Sequence, residues 1–194
     1  MDYAPSNRSS ASTKIVVAGG FGVGKTTFVG AVSEIDPLRT EALVTQESVG
    51  QDDISKVQQK QTTTVAMDFG RITLAENLVL YLFGTPGQRR FWFMWDHLVT
   101  GAIGAVVLVD TRRLDDSFAA VDYFEAKGLP FVVAINQFDD AQQFGADEIR
   151  EALALPSHIP VITVDARERE SAKQALVRIT EFALTQLTSV PTPA

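Results

Sequence analysis

The sequence predicts an α/β fold: a mostly parallel six-stranded sheet with helices on both faces and one antiparallel edge strand. Three observations carry that expectation. From residue 104 onward, segments rich in Val, Ile and Leu alternate with segments of helical period. Their apolar runs are near-continuous, which marks strands buried on both faces by crossover helices. Two earlier apolar runs, about 64–74 and 77–83, are separated only by a tight turn near Glu76-Asn77, the pattern of a hairpin.

Each element follows in order. Residues 1–12 are rich in Ser, Asn and Ala and predict a disordered tail ahead of one domain over 13–189. KIVVAG, at 14–19, reads as a buried strand, followed by a Gly-rich turn and a helix over about 25–35. Residues 36–61 are polar, rich in glutamine and without a sustained apolar period, and predict a long mobile connection. After the hairpin, FGTPGQRRFWFMW (83–95) reads as a strand turning into a half-buried helix. AIGAVVLVD (102–110), LPFVVAIN (129–136) and IPVITVDA (159–166) are strands. DSFAAVDYFEAKG (116–128) is a helix closed by Gly128, and ADEIREALAL (146–155) and ESAKQALVRITEFALTQL (170–187) complete the helical layer. VPTPA, at 190–194, is a frayed end.

Composition removes several function classes. The chain has 194 residues, 45% hydrophobic and 21% charged, ordinary values for a globular domain. Its formal charge is −7, and Arg89-Arg90 and Arg112-Arg113 are isolated pairs of the solvated kind, so no nucleic-acid partner is expected. With no cysteine there is no disulfide, thiolate metal site or lipidated thiol. The N-terminal residues lack an apolar leader and no run is long enough to span a bilayer. A cytoplasmic protein without a membrane anchor of its own is expected, one that a partner could still hold at a membrane.

Gly19-Gly20-Phe21-Gly22-Val23-Gly24-Lys25-Thr26 matches G-x-x-x-x-G-K-[ST] between a strand and a helix, the setting such a phosphate-binding loop requires. Backbone amides from Gly19 through Gly22, Val23 and Gly24 to Thr26 and Thr27 can surround phosphate oxygens, helped by the helix N-terminus. Lys25 reaches the β and γ phosphates, and the Thr26 hydroxyl can ligate Mg2+. Thr64, at the end of Thr62-Thr63-Thr64, could ligate the same metal and sense the γ phosphate; a β-branched strand start explains it equally. Gly87 could contact the γ phosphate and Gln88 could orient the attacking water; otherwise Gln88 is the exposed first turn of a helix.

Asn136-Gln137-Phe138-Asp139, at a strand end, resembles the Asn-Lys-x-Asp motif of GTP-binding proteins, with Gln137 in place of lysine. A carboxylate at Asp139 can accept from the N1–H and exocyclic amine of guanine. Adenine lacks that pair and would leave the carboxylate unpaired, at a cost of about 1–3 kcal/mol. Asn136 would tie this loop to the phosphate loop; a strand-end turn is the alternative.

In order and over about 14–188, these residues resemble the P-loop NTPase three-layer sandwich of the Ras-like G domain. TTTVAMDFG (62–70), FGTPGQRRFWFMW (83–95), GAVVLVDTRRL (104–114) and AINQFD (134–139) are similar to the bacterial Ras-like small GTPases of the MglA type, and among them to the actinobacterial conservon group. The resemblance implies that the Ala166 N–H meets guanine O6, with Arg167 beside it where that family has lysine. It also implies a roadblock/longin-fold regulator as partner and a sensor kinase-like protein in the same complex.

The same resemblance accounts for Gly84, which stands where Ras-like proteins have the aspartate of Asp-x-x-Gly. That aspartate holds a magnesium water through a charged hydrogen bond worth about 1.5–3 kcal/mol, so a weaker Mg2+ dependence of GDP binding is expected. Asp68, four residues after Thr64 on the same strand face, is the candidate substitute; a charged residue on an edge strand is the alternative. Phe91 to Trp95 run consecutively and cannot all face the core, so part of them should form a partner surface. The whole reads as a slow GTPase switch. A nucleotide-holding scaffold without turnover and an ATP-preferring P-loop protein are the competing classes.

Overall fold

The computed structural model describes residues 11–36, 38–45 and 62–189; the side chains of 38–45, 62–66, 89, 90 and 189 lie outside that description. Seven strands form one sheet in the order β2-β3-β4-β1-β5-β6-β7. They are β1 (Ala11–Gly19), β2 (Leu38–Thr45), β3 (Thr62–Ala75), β4 (Leu78–Gly84), β5 (Gly104–Val109), β6 (Phe131–Asn136) and β7 (Val161–Val164). β4, β1, β5, β6 and β7 pair in parallel, and β3 runs antiparallel to both neighbours.

The helices are α1 (Lys25–Val32), α2 (Trp95–Val99), α3 (Asp115–Lys127), α4 (Ala146–Ala152) and α5 (Arg169–Ser189). β5 and β6 are buried along their whole length, so helices must cover both faces. α1 packs beside α5, and α3 covers β1 and β5. Each fully buried Val, Leu, Ile or Phe in these strands stabilises the domain by about 1.5–3 kcal/mol relative to exposure. Gly128 closes α3 in the left-handed region, at φ 62°.

The expected α/β class stands, with three differences. The sheet has seven strands, because residues 38–45 pair with 62–69 as β2. Averaging over the polar stretch 36–61 hid that strand, whose pairing is set by its neighbour and not by its own apolar period. The antiparallel strand β3 is consequently internal, not at the edge. Residues 37 and 46–61, the rest of the expected connection, lie outside the described residues, as do 1–10 and 190–194. The chain from 83 to 95 is less regular than expected: a 3-10 helix over Arg89–Met94 precedes the short α2.

Among the described residues, no helix is long and apolar enough to cross a membrane. The fold puts the C-terminal ends of β1, β4, β6 and β7 on one rim. β1 lies between β4 and β5, where the strand order reverses, the place at which open α/β sheets bind ligands.

Candidate nucleotide-binding site

The phosphate loop leaves β1 at Gly19 and enters α1 at Lys25, with Gly22 and Gly24 in the left-handed region at φ 73° and 105°. Lys25 is buried, and its Nζ donates to the carbonyl oxygens of Gly19 (2.9 Å) and Gly20 (2.6 Å). Burial pushes its ammonium down to about 8, while the Asp68 carboxylate acts in the opposite direction. Thr26 and Thr27 are exposed on the first turn of α1, and Val23 is buried beneath the loop.

Asp68 is neither at an edge nor in solvent. It is buried in β3, and its Oδ2 accepts from Thr26 Oγ1 at 2.7 Å. In the β3–β4 ladder it stands directly opposite Gly84. A Cβ on Gly84 would lie 2.9 Å from Asp68 Oδ2 and 3.0 Å from its Cβ, so the Asp68 side chain occupies the space a side chain at 84 would need. A carboxylate thus stands across the ladder from Gly84, on the Thr26 hydroxyl. The next residue, Thr85, is buried, and its hydroxyl has no hydrogen-bond partner among the described residues.

Gly87 approaches the phosphate loop closely: a Cβ there would stand 2.7 Å from Lys25 Nζ and 2.9 Å from the Gly20 carbonyl oxygen. Gln88 is exposed and precedes the 3-10 helix. Of the aromatic run, Phe91 and Trp95 are buried, Trp92 and Met94 half-buried, and Phe93 exposed. The side chains of Thr64, Arg89 and Arg90 lie outside the described ones; the Thr64 backbone pairs with Leu43 in the β2–β3 ladder.

On the base side, Asn136 is buried and joins three loops. Its Nδ2 donates to the Val23 carbonyl oxygen at 2.9 Å, and its Oδ1 accepts from the Ala166 N–H at 3.0 Å. The Ala166 amide is thus already committed to Asn136. Gln137 and Asp139 are exposed. Asp139 pairs with Arg167, whose hydrogen bonds hold its carboxyl below its ordinary range. A cavity of about 450 Å³ runs from Gly22, Gly24 and Thr27 to Asn136–Asp140, Ala166 and Arg167. A larger cavity of about 820 Å³ lies among Phe124, Phe131, Ile159 and Phe182, with a mostly apolar lining that also includes Glu125, His158 and Gln186.

Arg112 and Arg113 are not the solvated pair expected from sequence. Arg112 donates from Nε and Nη2 to Asp110 (2.9 Å each) and from Nη1 to Asp140 (2.6 Å). Its guanidinium also lies 3.9 Å over the Phe138 ring, so it braces the loop that carries Asp139. Arg113 Nη2 donates to the carbonyl oxygen of Phe21 in the phosphate loop at 2.8 Å. Nothing in the local pattern marks these roles; the one available signal is their position at the end of a fully apolar strand, facing the same rim.

Known proteins place these features in a wider group. An uncharacterized protein of Methanocaldococcus jannaschii is 33% identical over 128 residues, which span 65% of this chain and 70% of that protein. Among solved structures, the G domain of the T. maritima FeoB iron transporter has a TM-score of 0.60 at 19% identity, covering 89% of this chain and 99% of that one. The FeoB G-domain from Methanococcus jannaschii gives 0.58 at 15% identity, with 89% and 98% covered. The cytosolic domain of T. maritima FeoB in a GDP form gives 0.61 at 18%, with 90% of this chain and 64% of that one covered. At such identities the likeness is one of fold: the chain has the architecture of a G domain. A family description matches across residues 17–186, and by that match the chain belongs to the family of conserved hypothetical ATP binding proteins.

Proposed function

We propose that the chain is a guanine-nucleotide switch that binds GTP or GDP with Mg2+ in the rim cavity and hydrolyses GTP slowly. The observation that carries this reading is the continuous cavity of about 450 Å³ joining the phosphate loop to Asp139. One end lies at a helix N-terminus that suits phosphates, with the Lys25 ammonium held behind the same loop on the Gly19 and Gly20 carbonyl oxygens; the other offers a carboxylate to the Watson–Crick edge of guanine.

Thr26 Oγ1 and the buried Asp68, 2.7 Å apart, are oxygen donors of the kind that suits Mg2+. The metal, when bound, supplies charge neutralisation at the β and γ phosphates. Thr26 would ligate it, and Asp68 would accept from one of its waters, the task left open by Gly84. Thr64 closes over the γ phosphate. Gln88 holds a water in line with the γ phosphorus. As the water oxygen bonds to phosphorus, the bond to the bridging oxygen breaks, its electron pair leaves with GDP, and the water's proton passes to the phosphate released.

Lys25 stabilises the charge that gathers on that bridge. Without an activator the rate is expected on the order of 10⁻⁴ s⁻¹, as for unassisted Ras. Kinship with the MglA type and a roadblock-fold partner on the surface around Phe93 belong to the same reading; Phe93 is 59% exposed.

A second reading, an ATP-preferring protein, draws on the Arg167 pairing of Asp139 and on the family's description. Single-turnover assays with GTP and ATP, with and without a roadblock partner, test both. GTP cleavage that is faster with the partner and at least ten-fold slower in Gln88→Leu is expected. No GTP cleavage under either condition sinks the enzyme claim, and tighter ATP than GTP binding sinks the guanine claim.

A further inference from the structure

The carboxylate assigned to the base is held by a side chain of the protein itself. Arg167 Nη1 donates to Asp139 Oδ2 at 3.0 Å, and Nη2 donates to Asp139 Oδ1 at 3.1 Å. This two-pronged arrangement copies the N1–H and amine pair of guanine, two parallel donors aimed at two carboxylate oxygens. Asp165 fixes the guanidinium from the other edge, accepting from Nε at 2.9 Å and Nη2 at 2.8 Å. Its Oδ1 also accepts from the Arg167 backbone N–H at 2.9 Å, so the short turn after β7 presents the arginine at the cavity's base end.

We propose that Arg167 sets the base selectivity of the cavity. Paired with Asp139, it satisfies and neutralises the carboxylate, so an adenine can enter without leaving that group unpaired. Guanine is read only by displacing the guanidinium, and its advantage is reduced by the pair it must break. The inference rests on the reading of Asp139 as the base-recognising group. It also explains how an Asn-x-x-Asp loop can occur in a family described by ATP.

The Asp139 side chain is 84% exposed and that of Arg167 53%, so the pair is of the weak, screened class. Its removal should shift the preference by about three-fold, the scale of an exposed ion pair. The test is titration of the full chain, stripped of nucleotide, with GDP and ADP. Arg167→Ala is expected to raise the GDP-over-ADP preference about three-fold. Arg167→Lys, which keeps the charge but loses the fork, should fall between the two. Pyrophosphate binding should be unchanged in both variants, which confirms an intact phosphate loop.

An unchanged or lowered preference in Arg167→Ala, with Asp139→Asn still collapsing it, overturns the proposal and leaves the base reading standing. Weaker GDP binding in Arg167→Ala, with pyrophosphate unaffected, also overturns it and makes Arg167 a direct contact of the nucleotide. If Asp139→Asn leaves the preference intact, the base reading itself fails and takes the Arg167 assignment with it.

Discussion

Lys25 is buried, with two backbone carbonyl oxygens as its acceptors, and burial brings its ammonium down to about 8. Phosphates favour the charged form, so nucleotide binding must restore a proton wherever the free protein has lost one. GDP affinity should therefore be flat below pH 7.5 and fall about ten-fold between pH 7 and 9. Because the guanine N1–H begins to ionise at the top of this range, ADP, whose base does not titrate there, is measured alongside. The folded protein moves the other way. Between about 8 and the unfolded value of 10.5 the unfolded chain binds more protons, so nucleotide-free stability rises with pH across that window. Calorimetric titration at several pH values checks the first effect, and a constant affinity up to pH 9 would contradict it. Lys25 was legible in the sequence because its chemistry is local: strand, glycine turn, lysine and helix lie within one stretch of chain. Arg112 was not, because only Asp110 is local to it, and Asp140 and the Phe138 ring reach it only after β5 and β6 pair.

At the scale of elements, the metal end of the site depends on the register of one hairpin. Ala75 opposes Leu78, but from Thr73↔Val79 onward the β3–β4 ladder is shifted by one residue. An unshifted ladder would put Asp68 opposite Thr85; the irregularity at Leu74 puts it opposite Gly84. A one-residue slip changes which side chains share a face, so that bulge is what brings the carboxylate to Thr26. The aspartate expected in the turn and the glycine found there could be compared from sequence alone. Asp68 was already the candidate substitute from its strand face, but its place opposite Gly84 was not legible, since it needs a register set by a bulge no local residue type announces. Exchange across the pair tests it. Asp68→Gly should weaken GDP binding in millimolar Mg2+ by about ten-fold or more, the size of a charged hydrogen bond. Gly84→Asp alone should also weaken it, through two carboxylates in one space, with 2.9 Å available to the new Cβ. The double exchange should recover most of the loss, because the carboxylate introduced on β4 would then point where that of Asp68 had stood. A double variant no better than Asp68→Gly would refute the compensation.

Across the whole molecule, the site is assembled from loops far apart in sequence, and Asn136 is the side chain that locks them. Val23 lies 113 residues away and Ala166 lies 30 away, yet one buried amide bonds both. The phosphate half and the base half of the cavity are therefore joined through Asn136, at the ends of β1, β6 and β7. A nucleotide bridging both halves draws on the same alignment. Asn136→Ala leaves the Val23 carbonyl and the Ala166 N–H buried without that partner, each at about 1–3 kcal/mol. The sum, about 2–6 kcal/mol, corresponds to a melting point lower by roughly 4–24 °C for a domain of this size. Loss of alignment should also appear in binding: GDP affinity should fall by more than pyrophosphate affinity, since pyrophosphate uses only the phosphate loop. Melting curves and paired titrations of the two ligands check both parts. Equal losses for GDP and pyrophosphate would mean that Asn136 only supports the loop beside it. A larger loss for GDP would mean that the two ends of the cavity act as one site because Asn136 holds them in register.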